Sequence, residues 1–431
     1  VCAGLLNYLF GLAMTALLRP SQYSVFASAN AIVLVMGTVA NAAVPWLLAK
    51  QIASRRAGET DQGEVRAALV LNLFEGSVAG LIAMLCVLSF AGLVVAIWVG
   101  VATISFFVAS TGMGWAQGHE RFGLLAALVV TEVMVRIVCA GVLVSLGSGP
   151  AGAYIGAVVG AGLICVAMLP LMWNDLRSPR VGLHTGLWRT AFGTAAVQSA
   201  ITALSVADVF FVSLRFHAGS STATYQVAAT LGRTPLFVAL AFSTEAFPAL
   251  ARDPGHPGQI SHGLERILGV LAPLTVIVMT LPEFLIHLLP AGYRNAGHFL
   301  PVVALIGAAY SLVLVQSTPL RAAGRTRPCL LTLVTGLIGS VALMAVASHF
   351  GIIGLAIGAA AGGWCTVIAM AVVTEREWPG AARPRVRFLG IWIGVGAILF
   401  LARGTPALWT PVAAIAAVAV VRGALQPSLR A

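Results

Sequence analysis

The chain has 431 residues, 59% of them hydrophobic and only 9% charged, and its mean hydropathy is +0.96. That composition excludes a water-soluble globule, and runs of about 20 apolar residues, each long enough to cross a hydrocarbon core about 30 Å thick, recur from end to end. The formal charge of +11 sits in the gaps between those runs, a placement that orients a membrane protein and argues against a nucleic-acid surface, which would cluster its cations on one soluble face.

Taken in chain order, the apolar runs predict fourteen helical spans, at about 1–18, 24–49, 67–88, 90–111, 124–146, 152–173, 190–214, 225–250, 267–289, 297–318, 329–348, 351–374, 388–402 and 408–424. Period-two alternation is absent from these runs, which disfavours an outer-membrane barrel. Lysines and arginines in the alternate connections that begin with 50–66, together with the C-terminal segment and Arg422 at the end of the last span, number nineteen, against four in the others. Both termini are therefore expected in the cytoplasm. The first run leads straight into further spans without a basic start, so no cleavable leader is expected.

The sequence repeats itself. "GPAGAYIGAVVGAGLICVAM" (149–168) and "GIIGLAIGAAAGGWCTVIAM" (351–370) align at an offset of 202, with Gly152, Gly156 and Gly160 answered by Gly354, Gly358 and Gly362. Glycines four apart line one helix face and admit a neighbouring helix closely. "AVPWLLAK" (43–50) matches "AFPALAR" (246–252) at an offset of 203, and Arg121 matches Arg325 at 204. The expected fold is an all-α polytopic membrane protein with two six-helix lobes, 1–188 and 189–375, and two added helices in 376–431. Because six spans separate the copies, the lobes share an orientation, which makes the repeat a parallel one.

Ionisable residues within the spans carry the most information, since a charge near the bilayer centre costs about 2.5 kcal/mol or more. Glu132 and Arg136 are four apart on one helix face, acid before base, the favourable order for pairing. They serve as a structural couple or line a cavity. Asp208, near the outer end of span 7, and Arg233, inside span 8, are predicted at matching depths about 9–12 Å below the outer surface. Glu245 lies near the cytoplasmic end of span 8, about 18 Å from Arg233 and too far to pair with it. Glu75 follows Asn72 on a polar stripe of span 3. Asp208, Glu245 and Glu75 are candidates for coupling to a proton or sodium ion. Asn7, Asn30, Asn41, Gln198 and Gln316 read as interhelical hydrogen-bonding groups.

The six cysteines all lie in apolar segments without a CxxC, so neither a disulfide framework nor a metal site is indicated. Asp253, His256, His262 and Glu265 occupy a Pro- and Gly-containing loop whose spacing fits no zinc pattern. Glu375 and Glu377 are flanked by arginines. No P-loop is present, and the connections are too short for the loop-borne catalytic cluster of a membrane enzyme. A non-enzymatic secondary transporter without cofactor is expected, with two lobes rocking about a central polar site.

Three segments carry a family resemblance. "LRPSQYSVF" (18–26) resembles the first external loop and second helix of bacterial polysaccharide flippases in the MATE-like multidrug/oligosaccharidyl-lipid/polysaccharide exporter superfamily, with Ser24 where that family usually has Gly. "QGHERFG" (117–123) is similar to the family's turn before the fifth helix, and "ADVFFVSLRFHAGSSTATYQVAATLGRTPLF" (207–237) to its seventh and eighth helices. The resemblance implies a V-shaped pair of lobes that moves a polyprenyl-diphosphate-linked oligosaccharide across the cytoplasmic membrane. It also implies glycan polymerase or glycosyltransferase partners, and it places Arg233, Asp208 and Arg19 at the central cleft. On that basis Arg233, Arg136 and Arg19 attract the diphosphate, whose oxygens suit a guanidinium fork, while Asp208 restrains Arg233 until cargo arrives. The competing expectation is a cation-coupled drug or metabolite antiporter of the MATE type.

Overall fold

A computed structural model describes residues 2–42, 44–53, 63–177, 188–252, 257–381 and 387–425. The described residues form helices joined by short turns. In chain order these are α1 (Cys2–Leu17), α2 (Pro20–Ala42), α3 (Val44–Ala53), α4 (Glu64–Leu88), α5 (Leu93–Gly118), α6 (Phe122–Leu143), α7 (Gly149–Leu176), α8 (Trp188–Phe216), α9 (Ser220–Gly232), α10 (Thr234–Arg252), α11 (Pro257–Met279), the short α12 (Glu283–Ile286), α13 (Leu300–Ala322), α14 (Thr326–Ala347), α15 (Gly351–Glu377), α16 (Arg387–Leu401) and α17 (Pro406–Leu425). With α2–α3 and α9–α10 each crossing as one run, and α12 too short to cross, these helices make fourteen apolar segments among the described residues. The sequence places span 9 at 267–289, but α11 starts at Pro257 and stops at Met279. Pro282 and Pro290 break the stretch beyond it into short turns, because proline has no N–H to extend a helix.

Packing divides the chain into two compact units, 1–202 with 217–219 and 203–216 with 220–431, so the dividing point falls within α8. In the first unit α4 and α5 meet through glycine, where a methyl at Gly80 would lie 2.8 Å from the Gly100 carbonyl oxygen. The core beside them gathers Leu48, Val65, Trp115, Ile164 and Met168. At its edge Trp115 Nε1 donates to Asp175 Oδ2 at 2.7 Å.

In the second unit α13 is the buried axis, with Tyr310, Val313 and Leu320 almost wholly enclosed. Helices α16 and α17 pack on α11 through Leu399, Trp409 and Ala413. An apolar cavity of about 490 Å³ separates α16 from α13 and α15, lined by Leu271, Met279, Leu305, Trp364, Trp392 and Phe400.

The repeated glycines do the same work twice. A methyl at Gly156 would stand 2.8 Å from the Arg136 carbonyl oxygen, and one at Gly358 would stand 2.7 Å from that of Leu343, so α7 lies against α6 as α15 lies against α14. Arg121 and Arg325 open α6 and α14 with nearly identical dihedrals, φ/ψ of −81°/57° and −78°/51°. Each follows a residue in the left-handed region, Glu120 and Gly324. The turn between α6 and α7 spans five residues, Val144–Ser148, and that between α14 and α15 three, Ser348–Phe350. That two-residue difference accounts for the change of repeat offset from 204 to 202.

Candidate functional site

The second unit holds a charge pair at a helix break. Pro235 cannot supply the N–H that would bond the Leu231 carbonyl, and Thr234 Oγ1 donates to that carbonyl instead, at 2.7 Å. Beside the break, Gly232 presses on α13: a methyl on it would be 2.8 Å from the carbonyl carbon of Val303. Arg233 leaves this break toward α8. Its Nε donates to the Ser205 carbonyl oxygen at 2.8 Å, and its Nη2 donates to Asp208 Oδ1. Asp208 is fully buried, and its other oxygen accepts the Tyr225 hydroxyl at 2.6 Å. Eight residues separate Asp208 from the end of α8, whereas Arg233 lies thirteen past the start of α9. The two backbones therefore differ in depth by about 7 Å, more than the sequence predicts. The long arginine side chain spans the difference.

The first unit holds its pair on one helix. Arg136 Nε and Glu132 Oε1 are 3.6 Å apart across one turn of α6, with side chains 15% and 8% exposed. Arg136 Nη2 also donates to Asn7 Oδ1 of α1, and its guanidinium lies 5.9 Å from the Phe10 ring centre, within cation–π reach. Arg136 thus fastens α1 to α6, and Asn7 acts as the interhelical group its position suggests.

The remaining candidates stand apart from these pairs. Arg19 is exposed in the α1–α2 turn, where its backbone N–H donates to Gln22 Oε1 at 3.2 Å. It is twelve residues from Asn7, about 18 Å along α1, so the structure does not bring it to Arg136. Glu245 is 55% exposed and lies 3.9 Å from Arg266 of α11. Glu75 is half-buried on α4 and has no hydrogen bond or ion pair among the described residues. Its neighbour Asn72 donates to Thr111 Oγ1 at 2.8 Å. Glu377 pairs with Arg325 at 3.3 Å. His262 and Glu265 are 3.8 Å apart, Asp253 and His256 lie outside the described residues, and no metal-holding group occurs among the described ones.

Sequence reasoning missed Tyr225 and Tyr310. Both are fully buried, and Tyr310 interacts electrostatically with Asp208 and Arg233. The signal available was scarcity: the chain has six tyrosines, and a tyrosine in the middle of a span needs a partner for its hydroxyl.

Neither family models nor curated proteins match the sequence. Among solved structures the chain resembles the lipid II flippase MurJ in an inward closed conformation, with a TM-score of 0.72 and 14% identity over 98% of this chain and 97% of that one. It also resembles an inward-facing multidrug resistance MATE family transporter of the MOP superfamily, with a TM-score of 0.69 and 14% identity over 87% and 94%. A third likeness is to the Vibrio cholerae MATE transporter VcmN in the bent form, with a TM-score of 0.55 and 17% identity over 87% and 94%. The chain therefore has the all-helical fold common to MATE transporters and this lipid flippase. A match over 98% leaves about nine residues unpaired, too few to omit α16 or α17.

Proposed function

We propose that the protein is a secondary transporter of the flippase type, moving a polyprenyl-diphosphate-linked oligosaccharide, a precursor of surface polysaccharide, across the bacterial cytoplasmic membrane by alternating access. The observation that carries this proposal is Arg233: a guanidinium inside an apolar span, at the junction of α9 and α10, restrained by one buried carboxylate. A diphosphate offers that guanidinium a competing, more highly charged acceptor with matching oxygens. Arg136, with its charge shared between Glu132 and Asn7, gives the first unit a second cation of the same kind. Arg19, exposed at a turn, serves at most as an entry contact. The cavity beside α16 offers hydrocarbon-lined space that suits a lipid-borne cargo better than a soluble one. The full-length likeness to a lipid II flippase, α16 and α17 included, supports the same choice. Glycosyltransferases or a glycan polymerase would be the partners that supply and consume such a cargo.

Arg233→Ala, scored by complementation of surface-glycan export, tests the proposal: export should be lost, and undiminished export would refute it. A cation-coupled antiporter of the MATE type is the second reading, favoured by Glu75, a half-buried acid without a partner among the described residues and suited to a proton or sodium ion. Multidrug sensitivity of a deletion strain with intact surface glycan would select it.

A further inference from the structure

The Tyr310 hydroxyl is fully buried and has no hydrogen-bond partner among the described residues. A buried hydroxyl left unpaired costs stability, and a phenylalanine would fill the same space without that cost. The ring packs against α15: a methyl at Gly363 would lie 3.3 Å from its Cε1 atom. It is also close to the charge pair. A methyl at Gly307 would lie 3.3 Å from the Arg233 Cα, and Tyr310 follows Gly307 by three residues, one turn along the same face of α13. Asp208 meanwhile uses one oxygen for Tyr225 and the other for Arg233. If Arg233 turns toward an anion, Asp208 Oδ1 loses its guanidinium donor while Asp208 stays fully buried, and a bare buried carboxylate is strongly unfavourable.

We infer that Tyr310 is the spare donor of this site: when Arg233 departs, the Tyr310 hydroxyl takes its place on Asp208. The carboxylate then passes from guanidinium to hydroxyl without standing bare. Tyr310 is thus a positioning residue, which sets how readily Arg233 is released and touches no cargo. This inference rests on the proposed role of Arg233 as the anion-reading group, and its test is separable from transport.

The test uses the full-length protein in lipid nanodiscs and follows modification of Arg233 by phenylglyoxal, which reacts with free guanidinium groups, by peptide mass spectrometry with and without inorganic pyrophosphate. Asp208→Asn should raise Arg233 modification. Tyr310→Phe should lower it about tenfold, the scale of one hydrogen bond to a charged group, while leaving the unfolding temperature unchanged or higher. A structural role alone for Tyr310 would lower the unfolding temperature and leave the modification rate untouched, and that result overturns the inference. So does an Asp208→Asn protein whose Arg233 reacts no faster than wild type. If the modification pattern holds but Arg233→Ala still exports glycan, the exchange stands and the cargo assignment fails.

Discussion

Each unit holds a buried acid–base pair among the described residues, and these two pairs differ in construction. Glu132 and Arg136 belong to one helix, one turn apart, and Arg136 finds its further partner on α1. Asp208 and Arg233 come from different helices, 25 positions apart in the chain, and meet where α9 ends beside α13. Each pair also stands where the other copy of the repeat is uncharged. The counterparts of Glu132 and Arg136, at the offset of 204, are Gly336 and Ser340, whereas α1 and α2, which answer α8 and α9, contain no charged residue. A hairpin that packs on glycine in both copies therefore does not require an ion pair to form. The charges are additions to the fold, which is the strongest structural reason to give them a task.

The contrast is tested most directly at Asp208 and Arg233. Arg233→Ala leaves a fully buried carboxylate, and Asp208→Ala leaves a guanidinium almost as enclosed; each should cost about 3–5 kcal/mol, read as a fall in unfolding temperature of the purified protein. The double replacement Asp208→Leu with Arg233→Met should recover most of that stability, because two apolar side chains replace a costly buried pair. It should not recover export. A double variant that exports glycan would mean that the pair serves packing alone.

The pair in the first unit should respond less. In Arg136→Gln the shorter amide can still donate toward Asn7 or toward Glu132, which stays buried with its side chain 8% exposed, so the expected loss is about 2–3 kcal/mol. Export should fall without vanishing, since Arg233 remains. If Arg136→Gln abolishes export while Arg233→Ala does not, the roles of the two units are reversed. Glu75→Gln separates the units further, since Glu75 has no partner to lose among the described residues. Stability should be unchanged within about 0.5 kcal/mol, and any change in the dependence of export on a sodium or proton gradient would identify Glu75 as the coupling group.

The legibility of these features in the sequence tracks their locality. The helical spans, the glycine face of α7 and α15, and the pairing of Glu132 with Arg136 all depend on spacings within one segment, and the periodicity of a helix makes them readable. The depth of Arg233 does not, because α9 starts at Ser220, five residues before the span counted from hydropathy, which sets Arg233 five residues further from the outer end. Tyr310 is illegible for a different reason. Its importance comes from lying on α13 beside Gly307, a position set by how α13 threads between α9, α11 and α15, and no spacing in the chain encodes that arrangement. Hydropathy misplaces the end of α11 at Met279 because the residues after it stay apolar although prolines have ended the helix.

The smallest effect is expected at Glu245, which hydropathy alone would rank with the buried acids. Its side chain is 55% exposed, and its partner Arg266 is 3.9 Å away, at the limit of an ion pair. Exposed pairs of this kind contribute about 0–1 kcal/mol, screened further by salt. Arg266 has a second contact in the Phe242 ring, 5.7 Å from its guanidinium, which does not depend on Glu245. Glu245→Gln should therefore shift the unfolding temperature little and leave export intact at any sodium concentration or pH at which the wild type works. A Glu245→Gln protein that is stable but inactive would move ion coupling to the α10–α11 end of the second unit. The Asp208–Arg233 pair would then be an anion-reading device that operates without a coupling role of its own.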